Sequence, residues 1–422
     1  MRLLHTSDWH LGQTFHGFER AYEHERFLGW LLDTLEAERA DALLVAGDVF
    51  DHANPSAAAQ HLLYRFLSEA KRRLPRLDIV LIAGNHDSPG RLEAPLPLLN
   101  AFGVRVVGQA RSADGALDVD RLRVPLRDRR DRIAAWCLAV PFLRPSDLSA
   151  AELDQGDEDR GQGPPAESMG DAYARRVAGL YRRLLAGAME RREHGQAIIA
   201  LGHCHLAGGT VSLASERRIV VGGSEALPAT VFDPALAYVA LGHLHRAQCI
   251  AGDERLRYAG SPMPLSFREI DYPHQIVRIE LDGERAGAIE AIPVPRFVAL
   301  ERVPERPQPL TEVLAALAAL ERPAAAADQQ PYLEVQVQLE APEPGLRGRI
   351  EAALAGKPVR LARIDVQRPT RPGNGTAPLS LEDLGQLRPE DVFRQLYREH
   401  YGDEAPAPLL AAFAELLQPE TP

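Results

Sequence analysis

Five short apolar runs in this chain stop in the same way. "RLLHTS" (2–7), "ALLVAG" (42–47), "IVLIAG" (79–84), "AIIALG" (197–202) and "YVALG" (238–242) lead into Asp8-Trp9-His10, Asp48-Val49-Phe50-Asp51, Asn85-His86-Asp87, His203-Cys204-His205 and His243-Leu244-His245. Length and branched-aliphatic content make each run a buried-strand candidate. Between the first three, residues 24–40 and 57–73 read as helices, the second entered through Asn54 as N-cap with Pro55 in its first turn. Strand, helix and strand in repetition predict an α/β domain with parallel pairing at its start. The carboxyl ends of such strands lie along one edge, where ligands bind, so side chains as distant in sequence as Asp8 and His245 can meet. Four of the runs end in a glycine just before the polar group (Gly47, Gly84, Gly202, Gly242), as a sharp turn into a crowded site requires.

Asp8, His10, Asp48, Asn85, His203, His243 and His245 make a mixed oxygen and nitrogen set without thiolate. Such a set suits Mn²⁺, Fe²⁺ or Zn²⁺ better than Ca²⁺ or an iron–sulfur cluster. Seven donors are too many for one ion and fit two ions about 3.5 to 4 Å apart that share a carboxylate, the arrangement that clamps a phosphodiester. His5, His16, His24, His61, His194 and His274 stand outside the pattern and read as surface or satisfied core residues. The second histidine of "GHCH", His205, either copies that of "GHLH" or lines the pocket beside Cys204; the second reading is favoured.

At 422 residues the chain is long for one core, so two or more domains are expected. A net charge of −11 argues against a surface that grips nucleic acid everywhere, but not against phosphate binding at a metal site. The basic runs 121–132 and 175–183 read as solvated faces. Three cysteines without CxxC spacing rule out a disulfide framework, and no stretch approaches the roughly 18 apolar residues of a membrane span. The expected compartment is the cytoplasm. Residues 151–171, acidic and rich in Gly and Pro, read as a surface insertion. After residue 275 the character changes, and alternating strand and helix patterns predict a second, smaller domain over 276–367, followed by a linker (368–389). Residues 390–418 carry two amphipathic stretches, around Phe393 and Tyr397 and around Leu409 and Phe413, which either pack on the chain's own body or bind a partner.

"DWHLG", "GDVFD", "GNHDSP", the Gly202-His203 pair and "GHLH" together resemble the calcineurin-like metallophosphoesterases. "ALGHLHRAQ" (240–248) and "RYAGSPMPLSF" (257–267) are similar to the branch of that family formed by bacterial DNA nuclease subunits. The resemblance covers residues 1–275 by motif and the remainder by layout. It implies a layered α/β sandwich of two sheets, a smaller α/β capping domain and C-terminal helices that dock on a coiled-coil ATPase. It assigns Asp8, His10 and His245 to one ion, Asn85, His203 and His243 to the other, and Asp48 as the bridge. Manganese is the usual ion of the family, with magnesium as the alternative. The activity implied is exonuclease and endonuclease cleavage of double-strand ends and hairpins in DNA repair and recombination, by a homodimer within a heterotetramer. Ala237 departs from the acidic residue that many relatives carry there, outside the metal motifs.

His86 is expected not to be a ligand, because Asn85 already coordinates, which leaves it to protonate the leaving oxygen or bind a phosphate oxygen. Asp51 or Asp87 would orient it; Asp51 is preferred on the resemblance, with a loop cap as its plainer role. Two other functions compete: a phosphatase or small-molecule phosphodiesterase with the same centre, and a metal-bearing scaffold without catalysis.

Overall fold

The apolar runs become strands because each is too short for a helix and offers branched side chains to both faces of a sheet. In the computed structural model, β1 (Arg2–Thr6), β2 (Ala42–Ala46) and β3 (Asp78–Ile82) lie side by side in parallel, joined by the helices Ala21–Ala37 and Ala57–Arg73. The second helix is capped by Ser56, whose hydroxyl accepts from the Ala59 N–H at 3.2 Å. Asn54 and Pro55 therefore stand before the helix rather than at its start. The structure describes residues 1–112, 115–148, 169–212, 216 and 226–367, with isolated positions between 393 and 413. Residues 1–367 form one contact unit and residues 368–422 another.

The parallel core is extended by antiparallel strands at one edge of the first sheet and at both edges of the second. The first sheet has six strands, in the order Arg285–Pro293, Gln275–Asp282, β1, β2, β3, Val104–Val107. β4 (Ala197–His203) and β5 (Tyr238–Gly242) pair in parallel at the centre of a second six-stranded sheet. Alternation along the strands assigns their two faces. Leu44, Ala46, Val80 and Ile82 join one core with Ile199, Leu201, Val239 and Leu241 of the second sheet. Leu43, Val45, Ile79 and Leu81 pack instead with Phe27, Leu31, Leu63 and Phe66 of the two helices. The chain is thus an α/β sandwich built on two mixed sheets.

The strands Gln275–Asp282 and Arg285–Pro293 belong to the first sheet, so the change of character read after residue 275 precedes the small sheet. That sheet holds the parallel strands Leu300–Pro309, Tyr332–Gln338 and Arg360–Gln367 with the helices Leu310–Ala318 and Leu346–Ala353. Val313, Leu317, Leu333, Val335, Val337 and Ile350 form its own core. A separate aromatic cluster joins it to the larger body: the Phe15 and Tyr332 rings lie 4.7 Å apart and inclined at 47°, Phe267 packs beside them, and the Tyr332 hydroxyl donates to Glu23 at 2.9 Å.

The insertion up to residue 168 and the linker 368–389 lie outside the described residues. Of the two amphipathic stretches, the described positions 393, 394, 397, 409, 410 and 413 are helical, and the rings of Phe393 and Phe413 stack at 4.3 Å.

Candidate metal centre

The seven donor residues come together from both sheets. Asp8 and His10 follow β1, Asp48 follows β2, Asn85 follows β3, His203 ends β4, and His243 and His245 follow β5. Close backbone approach makes this possible. A Cβ on Gly242 would lie 1.8 Å from the Ala46 carbonyl oxygen, and one on Gly84 would lie 2.1 Å from Asp48 Oδ1. Asp8, His10, Asp48 and His243 hold positive φ values of 54°, 46°, 48° and 104°, a costly conformation for residues with a side chain and one that gathers at functional sites.

Three donor groups result: Asp8 with His10 and His245, Asp48 with His203 and His243, and His10 with Asp48 and His86. Within each group the ligand atoms lie within 4.8 Å of one another. Asp48 and His10 are shared between groups. The orientation of the rings shows what these atoms want. His203 Nδ1 faces the Ala46 carbonyl at 2.9 Å and must donate to it, since a carbonyl only accepts. In a neutral ring Nε2 then carries a lone pair, yet it points at Asn85 Oδ1 (2.9 Å) and Asp48 Oδ2 (3.4 Å). Three acceptors turned toward one another require a cation or a proton between them. His10 repeats the pattern: Nδ1 meets Asp51 Oδ1 at 3.1 Å, while the buried Nε2 has no hydrogen-bond partner among the described residues and stands 3.7 Å from Asp48 Oδ2.

The electrostatics agree. Burial alone would lower the pKa of His203, but the adjacent Asp48 carboxylate outweighs it and lifts the value to about 9. Burial would raise Asp48, and the His203 and His10 rings hold it well below the usual carboxylate range instead. The field that favours a proton here favours a metal ion in its place. The donor set therefore fits divalent ions.

The acidic residues of the neighbouring turns divide their work. Asp87 accepts from the N–H groups of Val49 (3.1 Å), Phe50 (2.9 Å) and Gly84 (2.8 Å), which ties the β2 turn to the β3 turn. Asp51 meets His86 through its main-chain oxygen, which accepts from Nδ1 at 2.8 Å, while its carboxylate holds His10. His205 lies near the centre, its ring 6.3 Å from that of His243, and is absent from the three donor groups among the described residues. Burial pushes the neighbouring Cys204 thiol up to about 12.

Two further residues belong to the site and escape sequence reasoning. Glu269 Oε1 accepts from His245 Nδ1 at 3.1 Å, and Glu216 Oε1 accepts from the His245 main-chain N–H at 2.6 Å. Glu269 falls in the segment "SPMPLSFREIDYPHQ" (261–275), part of which carries the family resemblance, whereas nothing in the sequence around Glu216 marks it.

Comparison with known proteins completes the picture. The calcineurin-like phosphoesterase family model matches residues 1–247, and the Type 5 capsule protein repressor C-terminal domain model matches residues 296–401. The SbcD subunit of the nuclease SbcCD from Rhodobacter capsulatus is 43% identical over 394 residues, 93% of this chain and 93% of that protein. The chain belongs to the SbcD family of calcineurin-like phosphoesterases. The SbcD protein of Escherichia coli K12 is 32% identical, covering 94% of this chain and 92% of its own. That of Bacillus subtilis is 35% identical over 68% of each. As a member of this family the chain is a phosphoesterase that uses divalent metal ions. Among the described residues, no helix is long and apolar enough to cross a membrane.

Proposed function

We propose that this chain is a DNA nuclease that hydrolyses phosphodiester bonds at a two-metal centre and acts in DNA repair and recombination with an SbcC-type coiled-coil ATPase. The observation that carries the reading is the geometry around His203, whose Nε2 faces both Asn85 Oδ1 and Asp48 Oδ2. Asp8, His10 and His245 would hold one ion, Asn85, His203 and His243 the other, and Asp48 would serve both. Mn²⁺ is the preferred ion and Mg²⁺ the alternative; when bound, the pair would neutralise phosphate charge and lower the pKa of water.

The chain's own residues supply the rest. With Nδ1 fixed on the Asp51 carbonyl, His86 offers Nε2 to the phosphate or to the leaving oxygen, as a hydrogen-bond donor or general acid. The small domain would cap the nuclease body and take part in substrate choice. Residues 390–418 would dock on the ATPase. Leu98 and Phe102 are 70% and 64% exposed and line an apolar groove of about 730 Å³, a surface suited to the homodimer within a heterotetramer. The enzyme would work in the cytoplasm.

The test incubates purified chain with linear duplex DNA, hairpin DNA and a simple phosphodiester, with Mn²⁺ or Mg²⁺, and with or without the ATPase. Cleavage of the DNA substrates, increased by the ATPase, is expected. Turnover of the simple ester alone would favour a small-molecule phosphodiesterase, and no turnover of any substrate would favour a scaffold.

A further inference from the structure

We infer that Glu269 is a positioning residue that orients and polarises His245 for one of the two metal positions, so that the two positions differ in affinity. This rests on the proposed metal centre. Glu269 is fully buried, and its oxygens are committed. Oε1 accepts from His245 Nδ1 (3.1 Å) and from the Ser212 hydroxyl (3.3 Å), while Oε2 accepts from the Leu265 N–H (2.7 Å). An imidazole that donates through Nδ1 to a carboxylate has its ring fixed and its Nε2 lone pair made more basic, which strengthens metal ligation.

The two metal positions are unequal in this respect. His10 and His245, grouped with Asp8, each give Nδ1 to a carboxylate, Asp51 and Glu269. In the other group, His203 gives Nδ1 to the neutral Ala46 carbonyl, and His243 Nδ1 lies 3.1 Å from Asn85 Oδ1. Two negative charges thus stand behind the imidazoles of the Asp8 group.

The turn that carries Glu269 is also held from the small domain. The Arg302 guanidinium donates to the Phe267 carbonyl, and the Phe267 ring packs 5.2 Å from Phe15 in the cluster shared with Tyr332. The His274 ring stands between the main-chain oxygens of Ser261 (Nδ1, 2.9 Å) and Glu269 (Nε2, 3.1 Å). The carboxylate is thereby delivered to His245 by a rigid seat to which both parts of the molecule contribute.

The experiment is calorimetric titration of the full-length, metal-free chain with MnCl₂, comparing wild type, Glu269→Gln, His245→Ala and the double variant. Glu269→Gln should weaken one Mn²⁺ by about 10- to 100-fold and leave the other within about twofold. In the His245→Ala background the same change should have no further effect, because the carboxylate acts through that ring. Wild-type affinity in Glu269→Gln, equal weakening of both ions, or the same loss without His245 would each overturn the inference. A wild-type chain that takes up no Mn²⁺ would overturn the metal centre itself. Metal-free melting curves check the fold. Should Glu269→Gln melt more than a few degrees early, Glu269→Asp takes its place, and weakening of one ion supports the inference while wild-type binding refutes it.

Discussion

His5 and His203 are both buried, the first among the apolar side chains of the sandwich, the second at the strand ends where the donors gather. His5 has Tyr238 Oη at 2.9 Å and no carboxylate partner among the described residues, and burial drives its pKa down to about 3. His24, on the buried face of the first helix, is lowered to about 3 for the same main reason. His203 and His245 move the other way, to about 9, because Asp48 and Glu269 outweigh the same burial. Depth alone therefore says nothing about chemistry. A carboxylate beside the ring sets His203 and His245 apart from His5 and His24, whereas His243, also among the donors, is held well below its ordinary value by burial and the neighbouring His203 ring.

The sharpest way to break this contrast is to remove the shared carboxylate. Asp48→Ala should leave the chain with less than one bound Mn²⁺ by elemental analysis and lower hairpin-DNA cleavage by at least about a thousandfold. His86→Ala should keep both ions while turnover falls about 100- to 10,000-fold. Equal metal loss in the two variants would erase the division between ligand and donor. Gly84→Ala comes next: its Cβ would press on Asp48 Oδ1, so weaker Mn²⁺ binding and a loss of about 1 to 3 kcal/mol in urea unfolding are expected.

The smallest effect belongs to the apolar side. His5 has a folded pKa of about 3, below the unfolded value near 6.5, so the unfolded chain takes up the proton first as pH falls. Its contribution to stability is present above pH 6.5 and is lost as the solution is acidified toward pH 3. His5→Gln should therefore reduce the stability difference between pH 7 and pH 5 by about 2 kcal/mol, measured by urea unfolding in a chelator. An unchanged difference would mean that His5 is protonated in the folded chain.

The convergence of the donor side chains was legible because each is announced locally: an apolar run, in four of five cases a glycine, and a ligand-type side chain fall within a few residues. The parallel start of the first sheet followed from strand and helix spacing. What stayed hidden depends on contacts across the fold. Glu216 and Glu269 acquire meaning only through their contacts with His245, and no periodicity marks a lone glutamate. Asp51 illustrates the same limit at short range, since its two functional groups serve different histidines: the carbonyl holds His86 and the carboxylate holds His10. Likewise, residues 276–293 fall on the small-domain side of the change of character read after residue 275, and only the pairing of Gln275–Asp282 with β1 places them in the larger body.

The donor side chains are divided between the layers, Asp8, His10, Asp48 and Asn85 on one sheet and His203, His243 and His245 on the other. An ion held by the Asp8 group or by the His203 group would be a cross-link between two leaves of the sandwich. At a hundred times its dissociation constant, each such ion would add about 2.7 kcal/mol to the folded state. Starving the enzyme of metal would thus take away a brace along with a reagent, and a chelated sample would become easier to unfold as it fell silent.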